Sequence, residues 1–120
     1  MTDKAKKDQK NLEKLLKEIF SLDKKEKQKS ECVMKLNEMM ESYIDLNMNF
    51  ELLISSVDDL YLSPVVQVKK TWLILCMNII RLRQDFRERL FEKIIKVAFS
   101  LNMNDKEDIL LKIKVSFILK

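Results

Sequence analysis

The sequence contains no glycine, no histidine and a single proline, Pro64. Without glycine, no loop can bring bare backbone around a phosphate, which excludes Gly-rich nucleotide-binding turns. Without histidine, the usual general base and a common zinc ligand are both missing. The two cysteines, Cys32 and Cys76, stand 44 positions apart with no Cys-x-x-Cys spacing, so a zinc or redox motif of that type is excluded. Both fall on apolar helical stripes and read as small buried hydrophobes in an intracellular, reducing compartment. Long apolar runs are lacking too: Trp72 to Ile80 is too short to span a bilayer, and Asn78 interrupts it. No apolar segment follows Met1-Thr2-Asp3-Lys4, so no signal peptide and no membrane association are expected. The carboxylate pairs Asp58-Asp59 and Asp105 with Asp108 occupy helix-terminal contexts that account for them. No catalytic residue, cofactor site or metal site is expected.

What the chain does have is 120 residues that are 47% apolar and 35% charged. That length is one domain, and the apolar fraction argues against disorder. With no glycine and abundant Leu, Lys, Glu, Ile and Met, the composition favours helices joined by short polar loops. The fold class expected is all-α, a compact bundle of five to six helices. Charge is uneven: residues 1–29 hold ten lysines against six acids, and the remainder balances at 13 of each, so the net +4 lies at the N-terminal end. The simplest reading is a solvated helix face, with residues 1–10 as a frayed basic end. No aromatic residue stands among the lysines before Phe20, so base stacking has no support.

Hydrophobic spacing places the helices. The first is expected over Asp3–Ser21, burying Leu12, Leu15, Leu16, Ile19 and Phe20. Asp23 to Lys29 is expected as a loop or a ragged helix start. A second helix over Ser30–Ser42 turns Cys32, Val33, Leu36, Met39, Met40 and Tyr43 inward. Asn47 or Asn49 caps a third carrying Phe50, Leu53, Ile54, Val57 and Leu60. Asp58 and Asp59 near its end oppose the helix dipole. Ser63 as N-cap and Pro64 at the first helical position start a fourth helix that runs to about Arg83. That helix is apolar in almost every direction from Trp72 onward, so it is expected at the centre. Asp85-Phe86-Arg87-Glu88 reads as a capping box ahead of Leu90, Phe91, Ile94, Ile95 and Ala98. Asn104-Asp105-Lys106-Glu107 repeats that signal ahead of Ile109, Leu110, Ile113 and Phe117.

Two loop edges carry apolar residues where polar ones would be ordinary: Phe20-Ser21-Leu22-Asp23 and Tyr61-Leu62-Ser63-Pro64-Val65. Such residues often cap the end of a core. Apolar anchors beside a carboxylate also suit capture of a short peptide.

The segment from Glu31-Cys32-Val33-Met34-Lys35-Leu36 through Leu53-Ile54-Ser55-Ser56-Val57 to Val65-Val66-Gln67-Val68-Lys69-Lys70 carries a resemblance. It resembles the integrase-binding domain of the lens epithelium-derived growth factor and hepatoma-derived growth factor related proteins. Through them it is similar to the wider class of TFIIS N-terminal domains. The likeness covers roughly residues 8–83 and leaves residues 85–120 unmatched. It implies a nuclear, chromatin-associated module whose two interhelical loops hold disordered peptide motifs, typically acidic residues leading into Phe-x-x-Phe-like anchors. On that likeness Leu22 and Asp23 fall on the family's apolar-Asp pair, whose carboxylate bonds ligand amides. Leu62 falls on the second loop's aromatic, and Val65 on its following valine. Lys14 and Lys17 would attract an acidic ligand. The chain departs in carrying Leu62 for an aromatic, an extra residue at Ser63-Pro64, and Asp58-Asp59 where the family has basic residues.

The expectation is therefore a single protein-interaction domain, monomeric and nuclear, using Leu22, Asp23, Leu62, Val65, Lys14 and Lys17. Two alternatives remain. One is a nucleic-acid-binding domain using Lys4, Lys6, Lys7, Lys10, Lys14 and Lys17. The other is a helical oligomerisation module built on the apolar surplus in Phe99–Lys120.

Overall fold

A computed structural model describes residues 3–21, 25–42, 48–102 and 104–119. Those residues form an all-α bundle of six helices: α1 (Asp3–Phe20), α2 (Glu26–Ser42), α3 (Phe50–Val57), α4 (Val66–Leu82), α5 (Arg87–Phe99) and α6 (Lys106–Ile118). Short 3₁₀ segments at Asp58–Leu62 and Gln84–Phe86 lead into α4 and α5. No described residue has a positive φ. This chain without glycine therefore turns every described corner in conformations open to any L-residue.

The bundle is built around α4, which packs against α2, α5, α6 and both 3₁₀ segments, while α1 covers α2 and α3. Trp72, Leu73, Leu75, Cys76 and Ile79 are almost wholly buried, as expected for a helix apolar on all sides. Both cysteines are free and buried. Cys32 Sγ donates to Glu18 Oε2 at 3.3 Å, which joins α2 to α1. Asn78, the interruption in the apolar stretch, is buried beside Asn37 of α2. The Arg81 guanidinium donates to the Met40 carbonyl at 2.6 Å, satisfying an acceptor at the end of α2.

Four helix starts differ from the sequence expectation. The second helix begins at Glu26, ahead of the expected Ser30, so the run expected as a loop or a ragged helix start is helical from Glu26 onward. The fourth begins at Val66 with Val65 as its N-cap, two residues beyond the expected start at Pro64. Ser63 is extended, as a residue before proline should be, and its Oγ accepts from Val65 N at 3.1 Å. The hydroxyl thus holds a turn before the helix. Asp85 is not a cap: it chelates the Arg83 guanidinium through both oxygens at 3.0 and 2.8 Å. That bond holds the Asp85 carboxyl below the usual carboxylate range. At α6 the cap is Asp105, one residue after Asn104, and it accepts from Asp108 N at 3.2 Å. Asn49 caps α3 as expected, accepting from Leu52 N at 3.1 Å. Asn47 and Tyr43 lie outside the described residues.

The inward faces of the last two helices also differ. α5 buries Leu90, Ile94, Val97 and Ala98 and leaves Phe91 exposed. α6 buries Asp108, Leu111 and Val115, while Ile109, Leu110, Ile113 and Phe117 face outward. Asp108 explains the rotation. Its carboxylate pairs with Lys70 of α4 and accepts from Asn102 N at 2.8 Å, which turns its own side of α6 inward.

Candidate interaction site

The connection between α3 and α4 brings the expected apolar residues to one tip. α3 ends at Val57, and the 3₁₀ segment buries Leu60 against the core. Tyr61 lies with its ring 5.4 Å from that of Trp72, tilted by 41°. This arrangement anchors the tip on the central helix. Ser63 is buried, its N–H donating to the Leu60 carbonyl at 3.2 Å. Between these anchors Leu62 is 70% exposed, and Val65 and Val66 are about half exposed. Three aliphatic side chains therefore stand in solvent on backbone fixed from both sides. Val66 is as exposed as Val65 although only Leu62 and Val65 were singled out from the sequence, where the Val65-Val66 pair before a helix start is a readable signal.

The charges around the tip are paired. Asp58 and Asp59 follow the C-terminus of α3, where the dipole disfavours them. Lys93 of α5 pairs with Asp58 and sits 5.1 Å from the Tyr61 ring centre. Lys29 of α2 donates to the Ser56 carbonyl at 2.9 Å and reaches Asp59 at 3.4 Å. These two ammonium groups offset the cost implied by the sequence. Lys29 also ties the first turn of α2 to the end of α3, so the start of α2 shares an end of the bundle with the tip. Leu22 and Asp23 themselves lie outside the described residues. Lys14 and Lys17 are exposed on α1. With Lys7 and Lys10 they recur at spacings of three and four and form a stripe opposite the buried Leu12, Leu15 and Ile19.

A second exposed apolar surface lies in the Phe99–Lys120 segment, whose apolar surplus suggested an oligomerisation module. α6 presents Leu110, Ile113 and Phe117 outward, and Phe99 ends α5 beside it. The available signal was the excess of apolar residues in this segment, too many for one buried face.

Among the described residues no three His, Cys, Asp or Glu side chains gather as a metal site. Burial pushes the Cys76 thiol well above its ordinary value, so it holds its proton and is a poor nucleophile. No described helix is long and apolar enough to cross a membrane. The exposed groups at the tip suit apolar contact. No protein-family model, curated protein or solved structure matches this chain.

Proposed function

We propose that the chain is a protein-interaction module that takes short disordered peptide segments on the tip between α3 and α4, with no catalytic step. The observation that carries this reading is the exposure of Leu62, Val65 and Val66 on backbone held by buried Ser63 and by Tyr61 against Trp72. Preordered apolar anchors contribute more to affinity than mobile ones, because less ordering entropy is lost on binding. Leu62 and Val65 act as the anchors. Lys14 and Lys17 draw in acidic residues of the ligand. Leu22 and Asp23 complete the site on the strength of the resemblance to the integrase-binding and TFIIS N-terminal domains. The same resemblance makes the partners nuclear, transcription-related proteins.

Titration of the ¹⁵N-labelled chain with an acidic peptide ending in Phe-x-x-Phe tests the proposal. Shifts are expected around residues 60–68, and Leu62→Glu with Val65→Glu should abolish them without changing Tm. Shifts confined to other helices, or unchanged affinity in the double variant, would sink the assigned site.

The exposed Lys7, Lys10, Lys14 and Lys17 stripe favours a second reading, in which the stripe holds a nucleic-acid backbone. Salt dependence separates the two readings.

A further inference from the structure

The outer side of α6 has the composition of a buried one. Asp108, Leu111 and Val115 face the core, and the opposite side carries Leu110, Ile113 and Phe117 at spacings of three and four. That spacing aligns them in one ridge along the helix. Beside the ridge, α5 and α6 form a groove of about 360 Å³ whose lining includes Phe91, Ile95, Phe99, Val115 and Leu119 together with the Lys112 side chain. Phe99 is 79% exposed and Phe117 68%.

The amount of apolar surface is large for a chain this size. Taking about 200 Å² for a fully exposed large apolar side chain, Phe91, Phe99, Ile109, Leu110, Ile113 and Phe117 expose on the order of 600 Å². That is at the upper end of patches on monomers, roughly 300–600 Å². It is also most of the ~800 Å² that each partner contributes to a stable interface.

Charge identifies the occupant. Glu88 and Glu92 are exposed on α5 three and four residues from Phe91, Ile95 and each other, on the side of the helix that borders the groove, whereas Lys106 and Lys114 are exposed on α6 along the ridge. The acids of α5 and the lysines of α6 border one face, so the face is complementary to itself when a two-fold axis sets α5 of one copy against α6 of the other. A two-fold axis uses both features twice, as isologous dimers do. We infer that a second copy of this chain covers this face, the α6 ridge of each copy seated in the α5–α6 groove of the other. A dimer through this face takes up the oligomerisation alternative built on Phe99–Lys120 in place of the favoured monomer, and it is independent of the peptide tip.

Sedimentation equilibrium of the full chain over about 1–300 μM tests it, spanning affinities usual for modest interfaces. A concentration-dependent shift to twice the 14.4 kDa monomer mass is expected. Ile113→Glu with Phe117→Glu should raise the dimer Kd at least about tenfold with the circular dichroism unchanged, since buried apolar anchors dominate such interfaces. Glu92→Lys should weaken the dimer, and combining it with Lys114→Glu should restore it, which separates pairing from misfolding. A chain monomeric throughout the range overturns the inference. So does a dimer indifferent to these changes, or an α6 face that responds to phosphatidylcholine vesicles and not to protein concentration.

Discussion

Asn78 and Asn37 form a buried relay between α4 and α2. Asn78 Nδ2 donates to Asn37 Oδ1 at 3.2 Å, and Asn37 Nδ2 donates to the Thr71 carbonyl at 3.2 Å. Removing one amide strands its partner, at a cost of about 1–3 kcal/mol. Asn78→Leu is expected to lose that much stability in urea unfolding. Adding Asn37→Leu should recover part of the loss, because Thr71 lies inside α4 where its carbonyl keeps the helix's own bond. Additive losses in the double variant would count against the relay. A second residue-scale prediction concerns Asp108 and Lys70. The Lys70 hydrogen bond, with help from Asn102 N, holds Asp108 below its ordinary 3.8, against the opposing effect of burial. The same bond raises Lys70 above 10.5. A depressed carboxyl stabilises the fold above its unfolded value and loses that contribution as pH falls through the folded one. A raised ammonium contributes fully below its unfolded value and loses its contribution as pH rises through the folded one. The pair therefore supports the docking of α6 between about pH 4 and pH 10.5, and Asp108→Asn should flatten both limbs of the Tm–pH profile. Retention of the wild-type acid limb in that variant would place the titration elsewhere.

The elements differ in how deeply they are held, and that difference governs how legible they were. α4 was legible because apolar residues in every direction leave only a central position for it, and Leu73 is fully buried. Leu73→Ala should cost about 2–5 kcal/mol in denaturant unfolding, whereas Leu110→Ala on the outer ridge of α6 should stay within ~0.5 kcal/mol. The same abundance of apolar residues made α6 illegible, since its periodicity favours no face. Asp108 decided its orientation through partners distant in sequence. Helix starts were misplaced for a related reason. Ser63 and Asp85 have the right chemistry for capping, but one holds a turn at Val65 and the other holds Arg83. A capping pattern shows that an acceptor is available, not which donor it takes. At the candidate site, Leu62 and Val65 were legible as apolar residues in a loop. The lysines that neutralise Asp58 and Asp59 were not, because Lys29 and Lys93 reach them from α2 and α5. Since α6 contributes only Asp108, Leu111 and Val115 to the buried set, its amides should exchange with solvent ahead of those of α4. Equal protection in the two helices would mean that α6 unfolds only with the whole molecule.

For the whole molecule, size and charge set the final test. The Cα radius of gyration is 14.4 Å, close to the roughly 14 Å expected of a globule this long. The net +4 is therefore spread over a small surface whose excess lies in the first quarter of the chain. The exposed Lys7, Lys10, Lys14 and Lys17 make α1 the basic side, while the Leu62, Val65 and Val66 tip is apolar. A ligand held by phosphates on α1 releases condensed counterions. Four such contacts would give log K a slope of about −3 against log salt on a single strand. A peptide held on the tip removes apolar surface from water and retains only the screened attraction of the exposed lysines. Its affinity should fall by less than about tenfold between 50 and 200 mM salt, where four phosphate contacts would cost roughly fiftyfold. Charge reversal at Lys14 and Lys17 should then slow association with an acidic peptide and leave its dissociation rate nearly unchanged, because charges outside an apolar contact act on encounter. Leu62→Glu should do the opposite, raising the dissociation rate. A steep salt slope together with indifference to Leu62→Glu would transfer the binding activity from the tip to α1.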